Sequence, residues 1–133
     1  MGTRAVYTFK DADSSFHVYK HWDNAPVGAV DFIKNATKYA WPLPRFEADE
    51  FATAFIVANK NASGDVRLTK SPSHHSDLEY LYDVSYSKTY DALWVVCYAA
   101  DYSTGRLKKR LLHRGSYQSF RRWAILRAND LAA

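Results

Sequence analysis

The sequence predicts one α+β domain in which helices pack on an antiparallel β-sheet. Its 133 residues match the length of a single domain, and its 47% apolar and 24% charged residues are typical of soluble globular proteins. Segments with the alternation of strands and segments with the spacing of helices follow each other in the order ββααββββα. Because strands and helices do not alternate one by one, we expect antiparallel rather than parallel pairing. We assign residues 1–133 to one domain.

The chain begins with a predicted β-hairpin. Residues 3–10 are β-branched and aromatic, residues 11–15 have the composition of a turn, and residues 16–22 alternate in the manner of a strand. This alternation sorts the second strand into two faces. One face carries Phe16, Val18, Lys20 and Trp22, and the other carries His17, Tyr19 and His21.

Two helices are predicted next. Asp23 or Asn24 is a suitable cap for the first, Pro26 fits its first turn, and Pro42 ends it. The second helix covers about residues 46–60, with acidic residues at its start, where the helix dipole favours anions.

The remaining chain is predicted to form four strands and a last helix. The strands cover residues 65–70, 78–87, 92–100 and 106–114, the last of which also fits a short helix. Ser116 is a suitable cap for the C-terminal helix. Since residues 92–100 are apolar at almost every position, we expect a central strand covered on both faces. The predicted core contains Ile33, Phe51, Phe55, Leu93, Val95, Val96 and Cys97. In the strand predicted over residues 78–87, every second residue faces the same side, namely Leu78, Tyr80, Tyr82, Val84 and Tyr86.

Several features bear on the compartment. No apolar run approaches the roughly 18 residues of a membrane span, and the first residues lack the apolar core of a signal peptide. A single cysteine, Cys97, permits no intrachain disulfide bond. We therefore expect a cytoplasmic protein with no membrane partner.

The first 28 residues follow a pattern that resembles a known group of proteins. Met1-Gly2-Thr3-Arg4 opens the chain, and Tyr19-Lys20-His21-Trp22-Asp23 is followed by Pro26 and Gly28. This pattern resembles small uncharacterised proteins encoded by phages and prophages, although Asn24-Ala25 stands where those proteins usually have Gly-Tyr. The resemblance implies a viral or mobile-element origin and no catalytic residue.

Positive charge is concentrated near the C-terminus. The whole chain has a net charge of +4, yet residues 105–133 contain eight basic side chains and one acidic side chain, Asp130. Such a block favours phosphates or acidic proteins as partners, although a solvated surface is the simpler interpretation. The predicted ligand-binding residues are Arg106, Lys108, Arg110, Arg114, Arg121 and Arg122, joined by Tyr102 and Tyr117 as stacking groups. As a strand, this segment places Arg106, Lys108 and Arg110 on one face and Lys109 on the other. We expect Arg121 and Arg122 of the following helix to extend the first group into a single patch.

Catalytic candidates are few. His17, Tyr19 and His21 share one predicted strand face and are suitable for acid–base chemistry on a phosphoester, but two histidines four residues apart on a strand are about 13 Å apart and cannot share a metal. His74 and His75 lie in a predicted loop with no second ligand cluster, and Cys97 lies in an apolar strand. We therefore expect no metal site and no cofactor, and phosphate-binding glycine loops and common hydrolase motifs are absent.

Three functional hypotheses follow from these patterns. The first is a non-enzymatic phage or prophage accessory protein that binds a nucleic acid, a nucleotide signal or an acidic host protein. The second is a small phosphoester-cleaving enzyme that uses His17, Tyr19 and His21. The third is an assembly component that forms a homo-oligomer through its aromatic residues. The sequence leaves catalysis open and favours binding.

Overall fold

A computed structural model describes residues 2–132 of the chain. The strands are β1 (Ala5–Lys10), β2 (Ser15–Lys20), β3 (Val66–Thr69), β4 (Tyr80–Ser87), β5 (Ala92–Asp101) and β6 (Lys108–Ser116). The helices are α1 (Pro26–Thr37), α2 (Ala48–Asn59) and α3 (Tyr117–Ala132), with a short 3₁₀ helix at Pro72–His74. The predicted α+β class, N-terminal hairpin, two central helices and C-terminal helix are confirmed, and the ambiguous segment forms a strand from Lys108.

The six strands form one sheet in the order β3-β2-β1-β4-β5-β6. All neighbours are antiparallel except β1 and β4, which run parallel with Ala5 opposite Tyr80 and Phe9 opposite Val84. The sheet is therefore mixed rather than wholly antiparallel. The parallel pair arises because the chain between β1 and β4 crosses the sheet through β2, both central helices and β3 before it returns beside β1.

The three helices pack on one face of the sheet and form the main core. Tyr7, Tyr82 and Val95 point from the central strands into a cluster that Phe55 of α2 and Phe120 of α3 complete. All five side chains are inaccessible to solvent. Six of the seven predicted core residues lie in this cluster, which confirms most of the sequence-based core.

The structure corrects two expectations about burial. Strand β5 is covered by helices on one face only, so Leu93, Val95 and Cys97 are buried while Val96, which faces away from the helices, is half-buried and outside the core. Leu78 precedes β4 and packs with Val6 on the face opposite to that of Tyr82. The error at Val96 arises because an apolar run does not reveal which faces the helices cover, and the error at Leu78 arises because this residue lies outside the strand.

Buried polar groups hold the N-terminal half in register. Asn24 was expected to cap α1, but its side chain accepts a hydrogen bond from the Tyr7 hydroxyl (2.8 Å) and donates to the Lys20 carbonyl (3.0 Å). Its backbone carbonyl accepts from the Tyr82 hydroxyl at 2.6 Å. Ser116 does accept a hydrogen bond from the Ser119 amide (3.2 Å), which confirms the predicted cap of α3. The contacts of Asn24 thus join β1, β4 and the end of β2 to the start of α1.

Candidate functional site on the open face of the sheet

The sheet face opposite the helices carries the candidate site, and we call it the open face. Its central strands present a polar row, because the register places Thr8 beside His17 on one side and beside Asp83 on the other. Loop residues Leu78, Tyr102 and Leu107 cover one part of this face, where they pack near Val6, Tyr19 and Leu81. The remainder is lined by Lys10, His17, Asp83, Trp94, Val96, Tyr98, Lys109, Leu111 and Arg114.

A cavity of about 340 Å³ lies over the polar row. The Thr8 hydroxyl is 2.7 Å from Nδ1 of His17, and Nζ of Lys10 is 2.9 Å from a carboxylate oxygen of Asp83. Lys109 enters the lining from β6, and the loop that follows β3 adds Ser71, Pro72 and Ser73. The cavity therefore combines an imidazole, a buried carboxylate and two ammonium groups.

Burial is the main reason why His17 favours its neutral form. Burial lowers the pKa of His17, and the charges of Lys109 and Lys10 lower it further, while Asp83 raises it. A neutral imidazole at pH 7 is able to accept a proton or a hydrogen bond. Asp83 is engaged by Lys10, whereas Lys109 makes no salt bridge within residues 2–132. The cavity is thus suited to anions and, chemically, to general base catalysis.

Tyr19 and His21 belong to a different network. The Tyr19 hydroxyl lies 3.0 Å from Nδ1 of His21 and donates to Asp77 at 3.1 Å, and Nε of Arg4 is 3.0 Å from the same Asp77 oxygen. His75 stacks on the Tyr19 ring with a centroid distance of 4.4 Å. Burial is the main cause that raises the pKa of Tyr19. Although His17, Tyr19 and His21 lie on one side of the hairpin, as predicted, the structure divides them between two sites.

The sheet also divides the basic block. Strand β6 alternates as predicted, with Lys108 and Arg110 on the helix side. A bulge in the pairing opposite Cys97 and Tyr98 follows, and Lys109 and Arg114 lie on the open face. Arg106 precedes the strand in an exposed turn.

The predicted extension of that block by helix α3 is not what the structure contains. Arg121 lines a cleft beside Leu93, whereas Arg110 lies opposite Ala99, six residues further along β5. That distance is roughly 20 Å along the strand. Arg122 follows Arg121 on α3 and is also exposed. The two arginines therefore do not continue the group formed by Lys108 and Arg110.

The two predicted stacking tyrosines are structural anchors. The Tyr102 hydroxyl accepts a hydrogen bond from the Leu78 amide (3.1 Å) and donates to the His75 carbonyl (3.3 Å), which fastens the loops over the open face. The Tyr117 hydroxyl donates to the Val30 carbonyl at 3.0 Å and joins α3 to α1.

Two other aromatic residues, which the sequence analysis did not select, stand on the open face. Trp94 and Tyr98 lie on the same face of β5 with Val96 between them, and Tyr90 stacks on Trp94 with ring centroids 5.3 Å apart. Nζ of Lys109 lies 5.1 Å from the centre of the Tyr98 ring. Arg114 pairs with Val96, between the two aromatic positions. The spacing of four residues between Trp94 and Tyr98, which puts both on one face of a strand, was a usable signal, but it was obscured by the expectation that both faces of β5 are covered.

Metal and thiol chemistry find no support in the described residues. Residues 2–132 contain no group of three or more His, Cys, Asp or Glu side chains arranged to hold a metal ion. Cys97 is buried as predicted, and burial raises its pKa to about 12, so the thiolate form is strongly disfavoured. His74 is exposed in its loop.

Comparison of the chain with protein-family models, curated proteins and solved structures gives no match. Within the described part of the chain, no helix has the length and apolar character needed to cross a membrane.

Proposed function

We propose that this protein is a non-enzymatic accessory protein, of phage or prophage type, that binds single-stranded nucleic acid on its open face. The observation that supports this proposal most directly is the arrangement of β5 and β6. Trp94 and Tyr98 follow one another along β5, and the cationic side chains of Lys109 and Arg114 flank them on β6.

The spacing of the aromatic rings suits a strand of unpaired bases. Trp94 and Tyr98 are four residues apart on β5, which corresponds to roughly 13 Å. Both rings are half-buried, so only part of each is open to solvent. Single-stranded nucleic acids bind to proteins by stacking their bases on aromatic rings, and each stacked base contributes about 1–3 kcal/mol. Tyr90, which stacks on Trp94 and is 64% exposed, offers a further aromatic surface at that end.

The charges beside the rings lack acidic partners. Within residues 2–132, neither Lys109 nor Arg114 forms a salt bridge, whereas Lys10 pairs with Asp83. Unpaired like charges on one surface repel each other, so the surface gains when phosphates neutralise them. A single-stranded nucleic acid provides both phosphates that neutralise these charges and bases that stack on the rings.

The proposal is tested with fluorescently labelled single-stranded RNA and DNA of mixed sequence, titrated at several salt concentrations. We expect measurable binding whose logarithmic affinity falls with log salt by about 0.7 per phosphate contact. In the variant K109Q/R114Q, the affinity falls and the slope flattens by about 1.4, because two contacts are lost. The variant K108Q/R110Q is the matched control, since it removes the same charges from the same strand on the helix side.

Equal losses in both variants contradict the proposal, because they indicate a diffuse attraction of the basic block rather than a site on the open face. Absence of binding by the wild-type protein also contradicts it. The substitution Trp94→Leu provides a readout of stacking: its affinity falls while its salt slope stays unchanged.

A second candidate function rests on the His17 cavity. His17, held 2.7 Å from the Thr8 hydroxyl, provides a neutral base, and Lys109, which forms no salt bridge among the described residues, provides a cation for the phosphate in phosphoester cleavage. In this alternative, the wild type cleaves a labelled oligonucleotide and His17→Asn abolishes the cleavage, while His21→Asn retains it because His21 lies in the other network. Intact oligonucleotide after prolonged incubation with the wild type excludes this activity on that substrate.

A further inference from the structure

A cleft on the helix side of the sheet forms a second potential site. It has a volume of about 540 Å³, which is within the range of small-molecule sites. Helix α1 contributes Lys34 and Thr37, helix α3 contributes Tyr117, Gln118 and Arg121, and the segment after α1 contributes Leu43. The start of β5 and the turn before it complete the lining with Asp91, Ala92 and Leu93.

The cleft brings two cationic side chains from different helices to one depression. Lys34 and Arg121 both line it, and neither forms a salt bridge in the part of the chain that the structure describes. The two cations outnumber the one acidic residue in the lining, Asp91, and this excess of positive charge favours an anionic group on the ligand. A phosphate group suits this pair, because Arg binds it through a planar fork and Lys as a point charge.

The rest of the lining is suited to a planar group. The Tyr117 ring is held in place by its hydrogen bond to the Val30 carbonyl, and Leu43 and Leu93 add apolar surface. Asp91 accepts a hydrogen bond from the Tyr86 hydroxyl, and its carboxylate retains acceptor capacity. This acid disfavours a purely anionic ligand and favours one that also carries N–H donors.

We propose that this cleft, lined by Lys34, Arg121, Tyr117 and Asp91, binds a nucleoside monophosphate. Lys34 and Arg121 hold the phosphate, the base lies against the apolar surface beside Tyr117, and its N–H groups face Asp91. The site is independent of nucleic-acid binding on the open face, because it lies on the other side of the sheet and shares no lining residue with the His17 cavity.

Isothermal titration with adenosine 5′-monophosphate tests the proposal on the full chain. We expect saturable binding to the wild type, and affinity at least about tenfold lower for Lys34→Gln and for Arg121→Gln, since each loses a charge-assisted contact. Arg122→Gln is the matched control, because Arg122 follows Arg121 on α3 and does not line the cleft. The open-face variant K109Q/R114Q retains wild-type affinity for the nucleotide.

Two smaller ligands, inorganic phosphate and adenosine, test the phosphate-binding and base-binding halves of the cleft separately. Inorganic phosphate and adenosine each bind at least about tenfold more weakly than the nucleotide if both halves of the cleft contribute. The proposal is overturned if the nucleotide shows no saturation at concentrations of about 1 mM or higher, or if Arg121→Gln and Arg122→Gln weaken it equally. Equal affinity for phosphate and nucleotide overturns the assignment of the base. Circular dichroism of each variant verifies that the fold is intact.

Discussion

Gly28 and Asp23 approach each other so closely that a Cβ atom on Gly28 would overlap the backbone carbonyl oxygen of Asp23. The chain leaves β2, turns through Asp23 with a positive φ of 67°, and enters α1 at Pro26. The Gly28 amide then donates to the Ala25 carbonyl at 2.8 Å. Glycine at position 28 thus allows the first turn of α1 to lie against the end of the hairpin.

We expect Gly28→Ala to lower the free energy of unfolding by about 1–3 kcal/mol, the usual cost of forcing an extra group into a packed site. Urea denaturation measures it. Val27→Ala is the control on the same helical turn, and because Val27 is 42% exposed its effect stays within about 0.5 kcal/mol. A Gly28→Ala protein more stable than the wild type contradicts the close approach, because alanine then shows only its better helix propensity.

The packing of Phe55 in the core leads us to expect a large loss of stability when its side chain is shortened. Its side chain is fully buried, with its ring centroid 4.5 Å from that of Tyr7 and 5.3 Å from that of Phe9. Phe55→Ala therefore lowers the free energy of unfolding by about 3–5 kcal/mol. The exposed Val57 on the same helix provides the control, Val57→Ala. A loss below about 1 kcal/mol for Phe55→Ala is incompatible with this packing.

The buried ion pair between Lys20 and Asp65 gives a third prediction. Nζ of Lys20 lies 3.2 Å from one carboxylate oxygen of Asp65, and both side chains are almost inaccessible. Lys20→Met leaves the carboxylate buried without its partner and costs about 3–5 kcal/mol, while the double variant K20M/D65L recovers part of the loss. Thermal and urea unfolding of the wild type, of Lys20→Met, of Asp65→Leu and of the double variant measure the coupling. Additive effects of the two substitutions contradict a direct interaction.

The pKa of His17 gives a prediction about pH. Burial and two neighbouring lysines lower it, so a proton-detected NMR titration finds the His17 ring below the ordinary value of about 6.5. Lys109→Gln raises that pKa because it removes a positive charge, and Asp83→Asn lowers it further because it removes a negative charge. Unchanged values in both variants mean that these groups do not act on the ring.

The lowered pKa of His17 also makes the free energy of unfolding depend on pH. A histidine with a lowered pKa in the folded state is protonated more readily in the unfolded state. Its contribution is therefore intact above about pH 6.5 and is lost as the pH falls from there to the folded-state value. Burial also lowers the pKa of His75 and of His113, so these two residues destabilise the fold at acidic pH in the same way. His17→Asn therefore reduces, but does not remove, the loss of stability on acidification.

Alternation along the strands was sufficient to predict which face of the sheet several side chains occupy. It placed His17 and Tyr19 on one face of β2 and separated Lys108 from Lys109 on β6, and the structure confirms both. Strand geometry is local, and therefore the sequence contains it directly.

The remainder depends on contacts between distant segments. Asp77 and His75 reach Tyr19 through a loop more than fifty residues further along the chain, and no local pattern indicates that approach. The exposure of Trp94 and Tyr98 depends on which face of β5 the helices cover, and this choice is made by tertiary packing. Tyr102 and Tyr117 were selected for their position in the basic block, but their hydroxyl groups are used by the fold.

The parallel pairing of β1 and β4 has a consequence for synthesis on the ribosome. Strand β1 is complete after Lys10, yet its second neighbour begins only at Tyr80, so one long side of β1 has no partner until more than half of the chain has emerged. During that interval, the Tyr7 ring lacks Tyr82, on which it stacks in the finished protein. An unpaired strand edge beside apolar side chains is prone to association with other chains. Nascent chains of this protein thus have a defined period of vulnerability, which ends when β4 docks.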